Sequence, residues 1–226
     1  MTINNTDLNS KLSNVCNDIF ANYDSDNLST YEKRKLIFNY LCDNLEYDWN
    51  LYKDIEKFCE EIKKTQQPVK GFSRDSVKEL HDTVFNHKGI CNGIAQYYKL
   101  LLQHMNVYSV QICCDDGTSV KHALNLVYDE ENDTYSLDDV TGVIVGRGSK
   151  DDFFDYDIED ANNMNQGLKP IYDNDNWIII PSSYVSFLAN DMDNKFHQKF
   201  DLERDDSNIV VPKNIKSIKK SSNKLK

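Results

Sequence analysis

No stretch of the 226 residues approaches the roughly 20 consecutive apolar positions that a membrane-crossing helix needs. The opening Met1-Thr2-Ile3-Asn4-Asn5 has neither the basic start nor the apolar run of a secretory leader, so a soluble, cytoplasmic protein is expected. There is no C-x-x-C pair, which removes the usual zinc and dithiol arrangements. The six cysteines, at positions 16, 42, 59, 91, 113 and 114, follow no disulfide framework. Most are expected to be small buried hydrophobes in a reducing compartment. A Gly-rich phosphate loop and internal repeats are also missing. The acidic stretches Asp24 to Asn27 and Asp151 to Asp160 lack the glycine and closing glutamate of a calcium loop, and are expected to be solvated surface.

Positive charge is scarce in most of the chain. Six of the 26 basic residues are lysines between Lys213 and Lys226, so the other 20 face all 37 acidic residues within positions 1–212. An acidic body argues against nucleic acid as a partner. The lysine-rich end is expected to be a mobile tail, able to contact an anionic partner.

What is present suffices for a core. Hydrophobic residues make up 39 % of the chain, with 13 Tyr and 10 Phe among them. Leu8, Leu12, Val15, Cys16 and Ile19 share one helical face over 6–20, with Thr6 as a candidate cap. Ser29-Thr30-Tyr31-Glu32 has the pattern of a capping box, opening a helix that buries Leu36, Ile37, Tyr40 and Leu41. A third helix carries Ile55, Phe58, Cys59 and Ile62. A fourth, over 73–86, carries Val77, Leu80, Val84 and Phe85 and is closed by Lys88-Gly89. The fifth, over 91–105, repeats Ile94, Ala95, Tyr98, Leu101, Leu102 and Met105 at three- and four-residue steps. Strands are expected near 107–114, 122–128, 134–140 and 177–180, then a short helix around Tyr184 to Leu188. Residues 147–176 are expected to form a long surface loop. Helices followed by an antiparallel meander make an α+β fold. The expected division is an N-terminal helical part (1–66), a core (67–205) and the tail (206–226).

The chemistry concentrates between Gly89 and Thr141. Cys91 stands at the first turn of the fifth helix, where unpaired backbone N–H groups and the positive end of the helix dipole favour a thiolate. Gly89 is expected to let the chain turn sharply into that helix. Without partners such a cysteine merely packs under a helix start, and a lone strand histidine is more often structural than catalytic. Here His122 opens a strand whose hairpin partner ends in Asp138-Asp139. Side chains alternate along strands, so an even-numbered loop within Asp129 to Thr134 sets Asp139 beside His122, and an odd one sets Asp138 there. The frequency of two-residue loops favours Asp139. Thiol, imidazole and carboxylate are the parts of a nucleophilic triad. Backbone N–H groups near Asn92 and Gly93 would then stabilise an oxyanion. His81, His87 and Cys91 could be imagined as zinc ligands, but no fourth ligand is evident, and no metal is expected. His104 and His197 have no constellation around them.

Three blocks, Lys88-Gly89-Ile90-Cys91-Asn92-Gly93, His122-Ala123-Leu124-Asn125 and Leu137-Asp138-Asp139-Val140-Thr141, together resemble the signature segments of the transglutaminase-like superfamily. That superfamily has a D-x-T strand end, which falls here on Asp139-Val140-Thr141. Asn44 to Asp48 is similar to the family's Tyr-Asp segment, and the resemblance covers roughly residues 30–142. It implies a papain-like core: a cysteine helix packed on an antiparallel sheet that bears histidine and aspartate. It also implies a thioester intermediate formed from a carboxamide of a peptide or protein, with Cys91, His122 and Asp139 catalytic. Asn92, Tyr47 and Asn125 would be oxyanion or supporting residues, though Tyr47 reads equally well as a core aromatic. No cofactor is implied. Leu124 departs from the tryptophan that often follows His-Ala in the family, which favours hydrolysis over cross-linking. The expected function is therefore a cysteine peptidase or deamidase. A transamidase and a non-catalytic interaction module of the same fold are the alternatives.

Overall fold

A computed structural model describes residues 5–65, 76–114, 122–132 and 134–156, together with two short strands at 171–172 and 178–179. The expected helix at 184–188 and the lysine tail lie outside these residues. The architecture is α+β.

Helix α1 (Asn5–Phe20) buries Leu8, Leu12, Val15 and Cys16, as its spacing predicts. It already includes Thr6, so Thr6 is not its cap. Helix α2 (Thr30–Asn44) begins with the expected capping box. Ser29 Oγ accepts from the Glu32 N–H at 3.2 Å, and the Glu32 carboxylate accepts from the Ser29 N–H at 2.9 Å. It buries Ile37, Phe38 and Leu41, and also Arg34, which hydrophobic spacing does not foresee. Strand β1 (Glu46–Tyr47) leads into α3 (Trp49–Thr65), where Asp48 accepts from the N–H groups of Asn50 and Leu51, each at 3.1 Å.

Helix α4 (Ser76–Asn86) ends where His87 adopts a left-handed backbone, φ 56°. Lys88-Gly89 is therefore not the helix stop expected from the sequence. It forms strand β2 (Lys88–Gly89), parallel to β1, with Tyr47 opposite Gly89. Helix α5 (Cys91–His104) follows and is buried on nearly every side through Leu102.

The main sheet has the order β3-β4-β5, built from Ser109–Cys114, His122–Asp129 and Thr134–Asp138, all antiparallel. In the β4–β5 hairpin the Asp129 carboxylate accepts from the N–H groups of Glu131 and Asn132, at 3.0 and 3.3 Å. One apolar cluster joins α1, α2, α4 and α5 to Val127 of β4, Val140, Phe153 and Phe154. Each of its fully buried large side chains contributes about 1.5–3 kcal/mol by leaving water.

Two expectations fail beyond Asp138. The third strand does not run to residue 140. Asp139 accepts from the Gly142 N–H at 3.0 Å and so caps a short helix, α6 (Val140–Ile144). A cap bond outweighs the strand preference of Val140 and Thr141. Nor is 147–156 a surface loop. Ser149 and Asp152 form a second capping box on α7 (Lys150–Phe153), and Phe153, Phe154 and Tyr156 are buried, with Tyr156 bridged to Leu137. Within the remaining expected loop, β6 (Ile171–Tyr172) pairs with β7 (Ile178–Ile179), the latter inside the strand foreseen at 177–180.

Candidate active site

The start of α5 is held by close packing and polar staples. The first helical hydrogen bond of α5 runs from the Ile94 N–H to the Ile90 carbonyl, at 3.0 Å. The N–H groups of Asn92 and Gly93 precede it and have no acceptor within the helix. A β-carbon on either Gly89 or Gly93 would overlap the Thr83 hydroxyl of α4, which itself bonds the Glu79 carbonyl at 2.7 Å. The two glycines flanking Cys91 thus let α4 pack directly on this junction. Gly89 serves that approach and not a sharp turn, since its backbone is not left-handed.

Below the helix, Cys91 and Ala95 pack on Ala123 of β4. Asn125 donates to the Ala95 carbonyl at 3.0 Å and to Ser109 Oγ at 3.3 Å, stapling α5 to two strands. The Asn92 side chain is also engaged. It donates to Glu79 at 2.9 Å and accepts from Gln111 at 3.0 Å, so an oxyanion contact from this residue would come from its backbone. Tyr47 lies on β1 beside Gly89, its ring against Trp49 and Tyr52 with centroids 4.7 and 5.9 Å away. It is half-buried and packs against the cluster of Ile55 and Ile90.

The hairpin register pairs Asp129 with Thr134 and Asn125 with Asp138, leaving residues 130–133 as the loop. Four is an even number, so Asp139 falls in step with His122, although the loop is longer than the commonest one. The geometry agrees: His122 Nε2 and Asp139 Oδ2 are 2.7 Å apart. Cys91 is also a side-chain hydrogen-bond partner of His122. Thiol, imidazole and carboxylate therefore stand in series, brought together from α5, β4 and the cap of α6. All are nearly enclosed: Cys91 is 4 % exposed, His122 6 % and Asp139 1 %.

Burial acts most strongly on His122 and opposes its proton. The Asp139 carboxylate and Cys91 outweigh it, and the imidazole pKa is raised to about 10. Two other thiols contrast with this arrangement. Burial pushes Cys16 and Cys42 up to about 12, which holds both as neutral thiols.

Arg34, Glu79, Gln111 and Thr83 surround this arrangement, and none is marked by sequence pattern; Tyr98 is marked as part of the apolar stripe of α5, but its bond to Asp138 is not. The α7 segment that packs against Gly142 could have been found, because Ser149-x-x-Asp152 is a capping-box spelling. His81 stacks on Phe85 at 4.7 Å, and His104 is held below its ordinary pKa by burial. Among the described residues no group of three or more His, Cys, Asp or Glu is arranged to hold a metal ion. None of the described helices is long and apolar enough to cross a membrane.

No protein-family model matches the chain, and no curated protein sequence matches it. Among solved structures it is similar to one described as a TGase, with a TM-score of 0.45 and 15 % sequence identity. That similarity covers 61 % of this chain and 32 % of the other, so the chain spans about a third of that structure's length. A likeness this distant says nothing of activity.

Proposed function

We propose that the chain is a cysteine amide hydrolase of transglutaminase-like fold, acting on carboxamides of peptides or proteins. The observation that carries this reading is the hydrogen-bonded series Cys91–His122–Asp139 at the start of a helix. The His122 imidazolium already holds the proton, and the Cys91 sulfur beside it attacks the carbonyl carbon. The N–H groups of Asn92 and Gly93 receive the oxyanion. The imidazolium returns its proton to the nitrogen of the leaving amine, the C–N bond breaks and a thioester remains. Water then attacks, His122 takes its proton, and the acid leaves as the sulfur is freed. Asp139 holds the ring tautomer and balances the imidazolium charge.

With Cys91 only 4 % exposed, a slender group such as a glutamine side chain is favoured over a bulky one. Leu124 is buried in the core, so the position where the family often carries tryptophan offers no aromatic wall. This supports water over an amine as the second nucleophile. The test is turnover of a glutamine-bearing peptide with a labelled primary amine present. Free acid without label incorporation is expected, and it should vanish in a folded Cys91→Ala. Incorporated label would make the protein a transamidase. Turnover undiminished in Cys91→Ala would remove the nucleophile.

A further inference from the structure

Asp138, fully buried and next in sequence to Asp139, carries a charge that the reaction does not use. Its Oδ1 accepts from Arg34 Nη2 at 2.8 Å and from the Asp155 N–H at 2.9 Å. Its Oδ2 accepts from Arg34 Nε at 3.1 Å and from the Tyr98 hydroxyl at 2.7 Å. Arg34 also donates to Ser136 at 2.7 Å and to Asp155 at 3.0 Å, and lies over the Phe154 ring at 5.2 Å. These donors come from separate elements: Arg34 from α2, Tyr98 from α5 two turns beyond Cys91, and Asp155 from the segment after α7. A carboxylate with both oxygens doubly bonded, away from water, cannot shift without breaking a charge-assisted bond that no solvent replaces. Its main chain continues directly into Asp139, whose N–H bonds the Phe153 carbonyl at 2.8 Å.

We infer that Tyr98 and Arg34 are positioning residues. By gripping Asp138 they fix the spacing between the helix that carries Cys91 and the strand end that carries Asp139, and so keep sulfur, imidazole and carboxylate in line. Neither touches a reacting atom. The inference rests on the triad reading given under Proposed function, and it concerns how that triad is aligned.

The experiment is Tyr98→Phe, which removes one hydroxyl and keeps the ring that packs on Phe38 at 6.1 Å. The His122 ring is titrated by NMR, and turnover of the glutamine-bearing peptide is measured alongside. In the folded variant the proton affinity of His122 should fall at least about threefold. The kcat should fall about tenfold, with KM moving less than about twofold. Ser136→Ala, which removes a neutral contact on Arg34 and keeps its ion pairs with Asp138 and Asp155, should leave both readings near the parent values. A folded Tyr98→Phe whose His122 titrates as in the parent protein overturns the inference, and the triad reading then stands or falls on Cys91→Ala. A lowered His122 affinity in a protein with no amide turnover keeps the positioning role and removes the catalytic one. Should Tyr98→Phe fail to fold, Asp155→Asn loosens the grip on Arg34 from its partly exposed side, and asparagine tolerates the left-handed backbone there, φ 56°. The same downward shift is expected, and its absence overturns the inference equally.

Discussion

Asp138 accepts four hydrogen bonds, from a guanidinium fork, a phenol and a backbone amide. Asp139 accepts one from the Gly142 N–H and turns its other oxygen to an imidazole. Both side chains are essentially removed from solvent, yet their partners differ in kind. Arginine keeps its charge at any ordinary pH, so the Asp138 node is a fixed ion pair that anchors α2, α5 and β5. Histidine can gain and lose a proton, so the Asp139 node can change charge and take part in chemistry. Two like residues in succession thus end in different environments because the chain stops being a strand between them. Asp138 closes β5, and Asp139 opens α6.

The comparison can be broken first at Asp139. Asparagine caps a helix as well as aspartate, so Asp139→Asn should keep the start of α6, and its cost in stability should shrink towards pH 10, where the ion pair contributes least. It should nevertheless lower kcat/KM about 10³- to 10⁴-fold, because the ring loses its anion and its tautomer. Steady-state kinetics beside a denaturant melt give both numbers, and a loss of stability without loss of rate would reverse the assignment. The next largest effect belongs to Asp138→Asn. Leaving Arg34 without its buried ion partner, with only the partly exposed Asp155 to balance it, should cost about 3–5 kcal/mol in urea unfolding. A change under about 1 kcal/mol would show that the pair is dispensable.

A subtler difference lies in pH. The folded His122 holds its proton up to about pH 10, whereas an ordinary unfolded histidine does so only to about 6.5. Its pairing therefore stabilises the fold in full below pH 6.5, and that contribution fades as pH climbs towards 10. The thermal midpoint should decline over this window in the parent protein and be flatter in Asp139→Asn. Equal slopes would argue that the ring is not charged by Asp139.

Much of the arrangement is legible in the residues. The Ser29–Glu32 box is local chemistry, and the apolar stripe of α5 needs no partner to be seen. Strand parity allowed only two aspartates, and an even loop selected one. Arg34 was hidden because, although it is in step with Ile37, Phe38 and Leu41, a charged side chain gives no apolar signal, and its burial depends on Asp138, 104 positions away. The α6 turn was hidden because Val140 and Thr141 have strand-forming side chains, while the cap that overrides them is a single hydrogen bond. β1 and β2 have two residues each, too few for any alternation to register. The tight seat of Gly89 and Gly93 under Thr83 is likewise a contact between elements that spacing alone does not reveal.

The central claim is that His122 activates Cys91, and limiting alkylation with iodoacetamide near pH 6, read by mass spectrometry, tests it most directly. Cys91 should label at least about tenfold faster than Cys16 and Cys42, whose thiols burial holds protonated, and His122→Ala should remove that advantage. A Cys91 that labels no faster than those two, or at a rate indifferent to His122, would contradict the account.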